Sequence, residues 1–473
     1  MPGANLFYSL MRTAVGEPGR VLFHLEDGSH LTYGTMADRS AQFAHALMDH
    51  RVERGDRLVV QIDKSADAVA LWLACLRSGV MFVPLNTAYT DAEVDGFVAD
   101  ADTPHLVTTP ARGRGLTLGI KGDGSLGVAA NSQSLDHSVA DVKPDDPAAM
   151  LFTSGTTGRS KGAVITHRGL LSNAHALAEV WQISESDHLL HTLPVFHVHG
   201  LFVALHPLMV HGAQITILPR FDTDAVITRL PGATVLMGVP THYIRLLSDD
   251  RFDRNLTAHM RLFTSGSAPM TAQVHELFTE RTGRTITERY GMTECGIITS
   301  NSPGSPKPGT VGTALPEMDL RVGADSMVEV RGPHLFDRYW RRPEATAESF
   351  SSDGWFRTGD IGTLDDDRVL TLSGRASDLI ISGGYNIYPK EIEHVLDDDP
   401  QINESAVVGW ADPEWGETVV AFVVLADPDA KFTPPDLDDR LAGFKHPRHW
   451  EVVDSLPRNA MGKVQKKALR DLA

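Results

Sequence analysis

The chain is organised around one stretch, Thr153-Ser154-Gly155-Thr156-Thr157-Gly158-Arg159-Ser160-Lys161-Gly162. The apolar residues 148–152 lead into it and are typical of a buried strand. Glycines let the backbone approach a ligand closely, and successive N–H groups can form an anion-binding nest. Hydroxyl side chains and a lysine add donors and positive charge. The stretch therefore predicts a loop that grips a polyphosphate, with a plain surface turn as the alternative.

This loop differs from a Walker A loop, in which Gly and four further residues are followed by Gly-Lys-Ser/Thr. Here Lys161 precedes Gly162, and the next amphipathic helix begins only near Thr166. We therefore expect the phosphates to be held in a way that does not use a helix N-terminus.

Composition narrows the possible classes of protein. A chain of 473 residues is long enough for two or three domains. Its net charge of −18 argues against a nucleic-acid partner. Two cysteines, Cys75 and Cys295, exclude a disulfide scaffold and suit a reducing compartment. No signal peptide or membrane-spanning run is evident, so we expect a cytoplasmic protein with no membrane partner, either a monomer or a weak homodimer.

The order of predicted elements indicates an α/β fold. Helices and nearly continuous apolar strands alternate over residues 32–109 and again over 214–281, which predicts two halves with largely parallel, helix-covered sheets. Short strands punctuated by Gly and Pro from 308 to 374 predict a β-rich subdomain, for which a small barrel is one expected form. The remainder has its own strands and helices, including one over residues 435–441. We therefore expect a large N-terminal domain, 1–374, and a small, mobile α+β domain, 375–473.

Three further motifs carry groups that suit a nucleotide. Tyr290-Gly291-Met292-Thr293-Glu294 offers a ring to stack on a base, a hydroxyl for a phosphate and a carboxylate for Mg²⁺. Asp360, in Thr358-Gly359-Asp360, could accept hydrogen bonds from ribose hydroxyls. Lys463 stands in a C-terminal loop and could reach the nucleotide only by domain closure. Taken singly, each motif could also be a turn or a solvated surface group.

Five motifs, TSGTTGRSKG, YGMTE, TGD, GRASD and PRNAMGK, occur in this order up to Lys463. Together they resemble the adenylate-forming superfamily of acyl-CoA synthetases, adenylation domains and luciferases. The resemblance implies that ATP and a carboxylic acid give an acyl-adenylate and pyrophosphate, after which the thiol of coenzyme A displaces AMP. It also implies a requirement for Mg²⁺.

The resemblance implies a role for each motif residue. The phosphate-binding residues would be Thr153, Ser154, Gly155, Thr156, Thr157, Gly158 and Lys161. The adenine-binding residues would be Gly266, Ser267, Ala268, Glu288, Arg289 and Tyr290, and the ribose-binding residues Asp360 and Arg375. Ser382, Gly383 and Gly384 would face pantetheine. Thr293 would meet the α-phosphate, Glu294 with Thr153 the Mg²⁺, and Lys463 both the carboxylate and the α-phosphate.

The hinge departs from the family pattern. Ser377 stands where relatives have Asp or Lys, although the neighbouring Asp378 could substitute. We expect the C-terminal domain to turn about this position between the two half-reactions.

The residues expected to line the acid site indicate which acid is used. Phe196-His197-Val198-His199-Gly200 has two histidines, and the stretch from Gly238 ends in Arg245. A buried arginine needs an anion, so we expect Arg245, with His199 and Ser267, to hold a second carboxylate. This combination resembles malonyl-CoA synthetases, which implies malonate and methylmalonate as substrates and His197 as a gate for the reacting carboxylate.

Other interpretations remain open from the sequence. Arg245 could lie on a helix surface, and His199 could be an ordinary core histidine. The enzyme could instead activate a short or aryl monocarboxylic acid, or load a carrier protein. A catalytically silent nucleotide-binding protein is the alternative from another class.

Overall fold

A computed structural model of the chain describes residues 4–153, 160–382, 385–413, 415–459 and 462–472. The phosphate-loop residues 154–159 and the pantetheine glycines Gly383 and Gly384 therefore lie outside the described residues.

The strands of the described residues are numbered in chain order. They are β1 (Val21–His24), β2 (His30–Thr32), β3 (Arg57–Gln61), β4 (Met81–Pro84), β5 (Leu106–Thr108), β6 (Leu116–Thr117), β7 (Pro147–Thr153), β8 (Lys161–Thr166), β9 (His188–His191), β10 (Gln214–Ile217), β11 (Val235–Gly238), β12 (Leu262–Ser265), β13 (Ile286–Met292), β14 (Gly296–Ser300), β15 (Thr313–Ala314), β16 (Asp319–Val322), β17 (Met327–Arg331), β18 (Arg338–Tyr339), β19 (Phe356–Leu364), β20 (Leu370–Arg375), β21 (Ile380–Ser382), β22 (Tyr385–Ile387), β23 (Ile402–Asp412), β24 (Gly416–Leu425) and β25 (His449–Val452).

The helices of the described residues follow the same convention. They are α1 (Leu6–Leu10), α2 (Arg12–Gly16), α3 (Tyr33–Asp49), α4 (Ala66–Ser78), α5 (Asp91–Ala101), α6 (Ser125–Asn131), α7 (His167–Val180), α8 (His206–Val210), α9 (Thr223–Arg229), α10 (Pro240–Leu247), α11 (Arg254–Thr257), α12 (Ala272–Thr282), α13 (Pro343–Glu348), α14 (Pro389–Leu396) and α15 (Lys466–Arg470). A π-helix spans His199–Val203, and 3₁₀ turns span Leu230–Gly232, Ala376–Asp378 and Gly443–Lys445.

Two large mixed sheets form the body of the N-terminal region. One has the order β18-β8-β7-β4-β3-β5-β6 and the other β15-β14-β13-β12-β11-β9-β10-β1-β2. Helix α4 is buried along nearly its whole length, and the largest hydrophobic cluster includes residues of both sheets. The α/β class and the two-half architecture predicted from the sequence are therefore confirmed.

Parallel pairing brings several strand ends to one place. β9, β11, β12 and β13 are neighbours in the second sheet, and the pairs β11–β9, β11–β12 and β12–β13 are all parallel. Their carboxyl ends therefore open on the same edge, where α/β proteins place ligands. The residues that follow these strands build the site described below.

The β-rich region forms an open antiparallel sheet, β16-β17-β19-β20, in place of the small barrel that the sequence suggests. A separate sheet begins at β21, after the 3₁₀ turn Ala376–Asp378. This change of sheet lies next to the predicted Gly374-Arg375 boundary, which we retain as a proposal. None of the helices in the described residues is long and apolar enough to cross a membrane.

One predicted helix is wrong. Residues 435–437 have no regular secondary structure, residues 438–440 form a turn and residue 441 lies in a bend, and Leu437 is the buried residue of this segment. Two consecutive prolines, Pro434 and Pro435, disfavour helical backbone at their start, and Asp436, Asp438 and Asp439 favour turn conformations. One buried apolar residue cannot stabilise an amphipathic helix.

Candidate active site

The predicted ribose residues lie together on the antiparallel pair β19–β20, where Asp360 is directly opposite Arg375. The Asp360 carboxylate lies 2.9 Å from Arg375 Nε, and it accepts a hydrogen bond of 2.6 Å from the Tyr290 hydroxyl. Asp360 is 5% exposed, so this carboxylate is buried yet paired on both oxygens. Each carboxylate oxygen has a further lone pair, which leaves capacity for a ribose hydroxyl.

Glu294 stands beside this group at the turn between β13 and β14. Its Oε1 accepts a hydrogen bond of 2.8 Å from the Tyr339 hydroxyl, a contact that the sequence did not suggest. Burial raises the pKa of Glu294, although the hydrogen bond from Tyr339 and the nearby Thr153 hydroxyl act against the shift. Tyr290, Glu294, Asp360 and Arg375 are called the nucleotide group below.

The described ends of the phosphate loop reach the nucleotide group. The Thr153 hydroxyl donates to the carbonyl of Lys161 at 3.4 Å, which joins the last residue of β7 to the first of β8. The Lys161 ammonium lies 5.2 Å from the centre of the Tyr339 ring. The ammonium of Lys161, the hydroxyl of Thr153 and the carboxylate of Glu294 therefore lie near the two ends of the phosphate loop. Thr293 is half-buried at the neighbouring turn.

Lys463 approaches the nucleotide group from the C-terminal side of the cleft. Desolvation by the surrounding protein lowers the pKa of Lys463, and the positive charge of Arg375 lowers it further. The carboxylates of Asp360 and Asp378 act in the opposite direction. The side chain remains exposed to solvent at the cleft. In the same loop, a Cβ added to Gly462 would lie 3.2 Å from the Thr241 hydroxyl of α10, so the loop rests on the N-terminal domain.

The hinge and pantetheine predictions can be located only in part. Ser377 is exposed in the 3₁₀ turn Ala376–Asp378, and Asp378 Oδ1 lies 3.4 Å from Arg470 Nη2 in α15. Ser382 is buried in β21. The pair Asp378–Arg470 ties the turn to the C-terminal domain, and the roles of Ser377 and Ser382 stay predictions.

Two of the predicted adenine residues, Glu288 and Arg289, have side chains on opposite faces of β13. Glu288 faces α12, where its Oε1 lies 2.7 Å from His275 Nε2, so its role beside adenine stays a prediction. Arg289, the next residue of β13, points to the opposite face because strand side chains alternate. Its guanidinium carbon would lie 2.4 Å from a Cβ at position 266, so only the absence of a side chain at Gly266 leaves room for it.

The Arg289 guanidinium is buried, and no carboxylate of the described residues pairs with it. The residue is 5% exposed, and its Nε and Nη2 find no hydrogen-bond partner among the described residues. Burial lowers the pKa of Arg289 to about 9, which still leaves it cationic at neutral pH. A buried, unpaired cation is costly, so such a group indicates a site for an anion.

Two histidines complete the surroundings of Arg289. The backbone N–H of His199 donates to His197 Nδ1 at 3.2 Å, and His199 Nδ1 lies 3.3 Å from the Ser267 hydroxyl. Burial, reinforced by Arg289, lowers the pKa of His197 to about 4 and that of His199 well below its usual range. Both rings are therefore neutral at pH 7. Arg289, His197, His199, Gly266 and Ser267 are called the acid site below.

The backbone of the acid site has two unusual features. Ser267 has a φ of 70°, a left-handed conformation that is uncommon for a residue with a side chain and that concentrates at functional sites. His199 opens the π-helix His199–Val203, a form that is also frequent at functional sites. The local backbone is therefore shaped around the Ser267–His199 contact.

The prediction that Arg245 is buried is wrong. α10 buries Pro240, Tyr243, Leu246 and Leu247, whereas Arg245 is exposed and makes no ion pair within the described part of the chain. The physical reason is helical periodicity: Arg245 is 200° round the helix from Tyr243, so it lies away from the buried stripe. The buried guanidinium of this region is that of Arg289, and its position among the buried residues 286–290 of β13 was the available signal.

Comparison with known proteins places the chain in a family. The family model of AMP-binding enzymes matches residues 10–340, and that of the AMP-binding enzyme C-terminal domain matches residues 391–463. The malonate–CoA ligase of Arabidopsis thaliana is 34% identical over 88% of this chain and 78% of its own length. The feruloyl-CoA synthase of an Amycolatopsis species is 32% identical, over 94% of each chain.

Among solved structures, ATP-bound MatB from Rhodopseudomonas palustris matches with a TM-score of 0.96 and 42% identity, over 99% of each chain. The match extends through both the large N-terminal domain and the small C-terminal domain. The chain therefore belongs to the family of AMP-binding enzymes, and it is an AMP-forming acid–CoA ligase.

Proposed function

We propose that the enzyme joins malonate, and also methylmalonate, to coenzyme A, with conversion of ATP to AMP and pyrophosphate. One observation carries the choice of acid, namely the buried Arg289 guanidinium with two nitrogens that have no partner in the described residues. A dicarboxylic acid supplies one carboxylate for adenylation and a second one for this cation. A monocarboxylic acid would leave the guanidinium buried and unpaired.

The surroundings of Arg289 favour a carboxylate over other ligands. A guanidinium binds a carboxylate through two parallel hydrogen bonds, and a charge-assisted hydrogen bond contributes about 1.5–3 kcal/mol. The Ser267 hydroxyl and the unpartnered Nε2 of neutral His199 provide further polar contacts. The extra methyl group of methylmalonate leaves both carboxylates in place, so the same contacts apply to it.

We assign the first half-reaction to the cleft between the acid site and the nucleotide group. One carboxylate of the acid attacks the α-phosphorus of ATP, and pyrophosphate leaves. Asp360 and Arg375 bind the ribose, and Thr293 and Lys463 bind the α-phosphate. Fixed donors and cations aimed at the charge that develops on phosphorus lower the barrier. In the second half-reaction the thiol of coenzyme A attacks the acyl carbon, and AMP leaves.

We place a Mg²⁺ site at Glu294. Its second carboxylate oxygen and the Thr153 hydroxyl are hard oxygen donors, and Mg²⁺ is commonly held by one or two carboxylates with substrate phosphates and water. When bound, the ion would neutralise phosphate charge.

The test is AMP formation by the purified enzyme with ATP, Mg²⁺ and CoA, and with malonate, methylmalonate, succinate, acetate or butyrate as the acid. We expect the highest kcat/KM for malonate, with methylmalonate next, and a thioester product that requires CoA. A kcat/KM for butyrate or acetate that equals the malonate value would overturn the proposal in favour of a monocarboxylate ligase. Transfer to a phosphopantetheinyl carrier protein, with none to CoA, would instead indicate a loading enzyme.

A further inference from the structure

A buried lysine lies behind the acid site, immediately before α4. Lys64 is 7% exposed, and its ammonium donates to the carbonyl of His191 at 2.9 Å. Within the described residues it forms no ion pair with a carboxylate. Its neighbour Ser65 is the N-cap of α4, so the ammonium also lies at the positive end of a 13-residue helix. Burial without a carboxylate partner and the positive end of the helix both disfavour the charged form of Lys64. Neither of them stabilises the fold.

The contact of Lys64 leads directly to the acid site. His191 is the last residue of β9, and its Nε2 lies 2.9 Å from the carbonyl of Gly200. The segment between these two residues carries His197 and His199. Lys64, which follows β3 of the other large sheet, therefore holds one end of the segment that forms the acid-site wall.

Polar atoms without partners surround this contact. His191 Nδ1, Thr192 Oγ1 and His242 Nδ1 are all buried, and none finds a hydrogen-bond partner among the described residues. The His242 ring stacks on Phe221, with ring centres 4.0 Å apart. Burial lowers the pKa of His242 to about 3, and nearby Arg245 and Lys64 add to the shift. The imidazoles here are neutral at pH 7, so they cannot balance an anion.

We propose that Lys64 is a positioning and specificity-determining residue, which fixes the His191–Gly200 segment and supplies a second positive charge that favours acids with two carboxylates. This inference rests on the function proposed above. In this arrangement Arg289 contacts the second carboxylate directly. Lys64 lies on the other side of the His191–Gly200 segment and acts on the acid without touching it. Burial lowers the pKa of Lys64 well below its ordinary value, and a dianion bound in front of it is the change that would raise this pKa again.

The expected effect is moderate because the interaction is indirect. Removal of one positive charge near a bound anion, in a region of low dielectric, changes the affinity for that anion by roughly tenfold. The effect should grow with the charge of the acid, so it should be larger for malonate than for butyrate. It should not extend to ATP, whose proposed ligands lie in the nucleotide group.

The experiment compares the wild-type enzyme with Lys64→Gln and Lys64→Met, and uses Lys431→Gln, a change at an exposed lysine, as the matched control. Gln keeps a donor that can serve the His191 carbonyl, whereas Met keeps only the length of the side chain. The quantities to measure are KM for malonate, KM for ATP, the inhibition constant of butyrate against malonate, and the thermal midpoint of each variant.

We expect both Lys64 variants to raise KM for malonate roughly tenfold and to leave KM for ATP and the butyrate constant within about twofold. Equal changes for malonate and butyrate would overturn the inference, since they would indicate a purely structural role. An unchanged KM for malonate in folded Lys64→Gln would overturn it as well, and this variant suffices if Lys64→Met does not fold. If the wild-type enzyme itself does not use malonate, the proposed function fails, which is a different result.

Discussion

On one side of the cleft, each carboxylate of the nucleotide group has a hydrogen-bond or ion-pair partner, whereas the Arg289 guanidinium of the acid site on the other side has none among the described residues. Asp360 is paired with Arg375 and Tyr290, and Glu294 is paired with Tyr339. Arg289 is buried just as deeply but has no partner among the described residues. The comparison shows that burial of a charge alone does not mark the acid site. What marks it is a buried charge for which the described residues provide no partner.

The difference has a physical consequence for ligands. A paired group can bind a neutral sugar hydroxyl with little change in its own energy. An unpaired buried cation gains more from a ligand, because the anion replaces hydration that the cation lost on folding. Selectivity should therefore come from the acid site, and common nucleotide chemistry from the nucleotide group.

The largest effect is expected for Lys463, whose neighbours include Arg375 and Asp360 of the nucleotide group. Lys463→Ala should lower malonate-dependent ATP–pyrophosphate exchange by about 10²–10³-fold, because a fixed charge at the transition state is lost. Lys467→Ala, at an exposed lysine nearby in α15, is the matched control and should change the rate less than twofold. Exchange at the wild-type rate in Lys463→Ala would show that the observed approach of this loop is not the one used in adenylation.

A change at Asp360 tests the paired side. Asp360→Asn should raise KM for ATP by about tenfold or more and lower the free energy of unfolding by about 1–2 kcal/mol, since a hydrogen-bonded charge pair with the partly exposed Arg375 is lost. Steady-state kinetics and urea unfolding measure the two effects, with Asp366→Asn on the exposed β19–β20 turn as control. A stability gain would contradict the view that this carboxylate is satisfied by its partners.

For the acid site, we expect a substitution of the buried charge to change the free energy of unfolding in the opposite direction. Arg289→Met should raise the free energy of unfolding of the ligand-free enzyme by about 1–2 kcal/mol, because a buried, uncompensated charge is replaced by an apolar side chain of similar length. Urea unfolding at pH 7, without substrates, measures the change. A loss of stability as large as that in Asp360→Asn would remove the contrast between the two regions.

The smallest effect is expected for Arg245. Because its guanidinium is exposed, Arg245→Ala should leave kcat/KM for malonate within about threefold of the wild-type value. The measurement is the same AMP-formation assay, with ATP saturating. A loss of 100-fold or more would restore Arg245 as a substrate ligand and would weaken the case for Arg289.

Much of the fold could be predicted because the chain alternates apolar strands with amphipathic helices at regular spacing. The strand before Thr153 and the helix after Thr166 are both present. The prediction of a helix over residues 435–441 was wrong because the stretch is short and rich in Asp and Pro. Its two apolar positions have helical spacing only by chance. The partners of Glu288 and Glu294 could not be predicted, since His275 and Tyr339 are brought to them by tertiary packing alone.

The error at Arg245 has a more specific cause. The sequence shows an arginine after the apolar run that contains Tyr243, but the spacing of Tyr243, Leu246 and Leu247 already predicts that Arg245 faces away. Arg289 lies in a strand whose neighbours are buried on both faces, where a charged residue needs a reason to be present. Which arginine is buried therefore follows from periodicity, while the lack of a partner for Arg289 among the described residues could be seen only in three dimensions.

The most direct test of the account compares Arg289→Met with the wild-type enzyme, using malonate and butyrate as alternative acids at saturating ATP and CoA. We predict that kcat/KM for malonate falls about 100-fold or more, as expected from loss of a bidentate charged contact, while that for butyrate is unchanged or rises. Equal losses for both acids, or full activity with malonate, would contradict the claim that this unpaired cation selects a dicarboxylic acid.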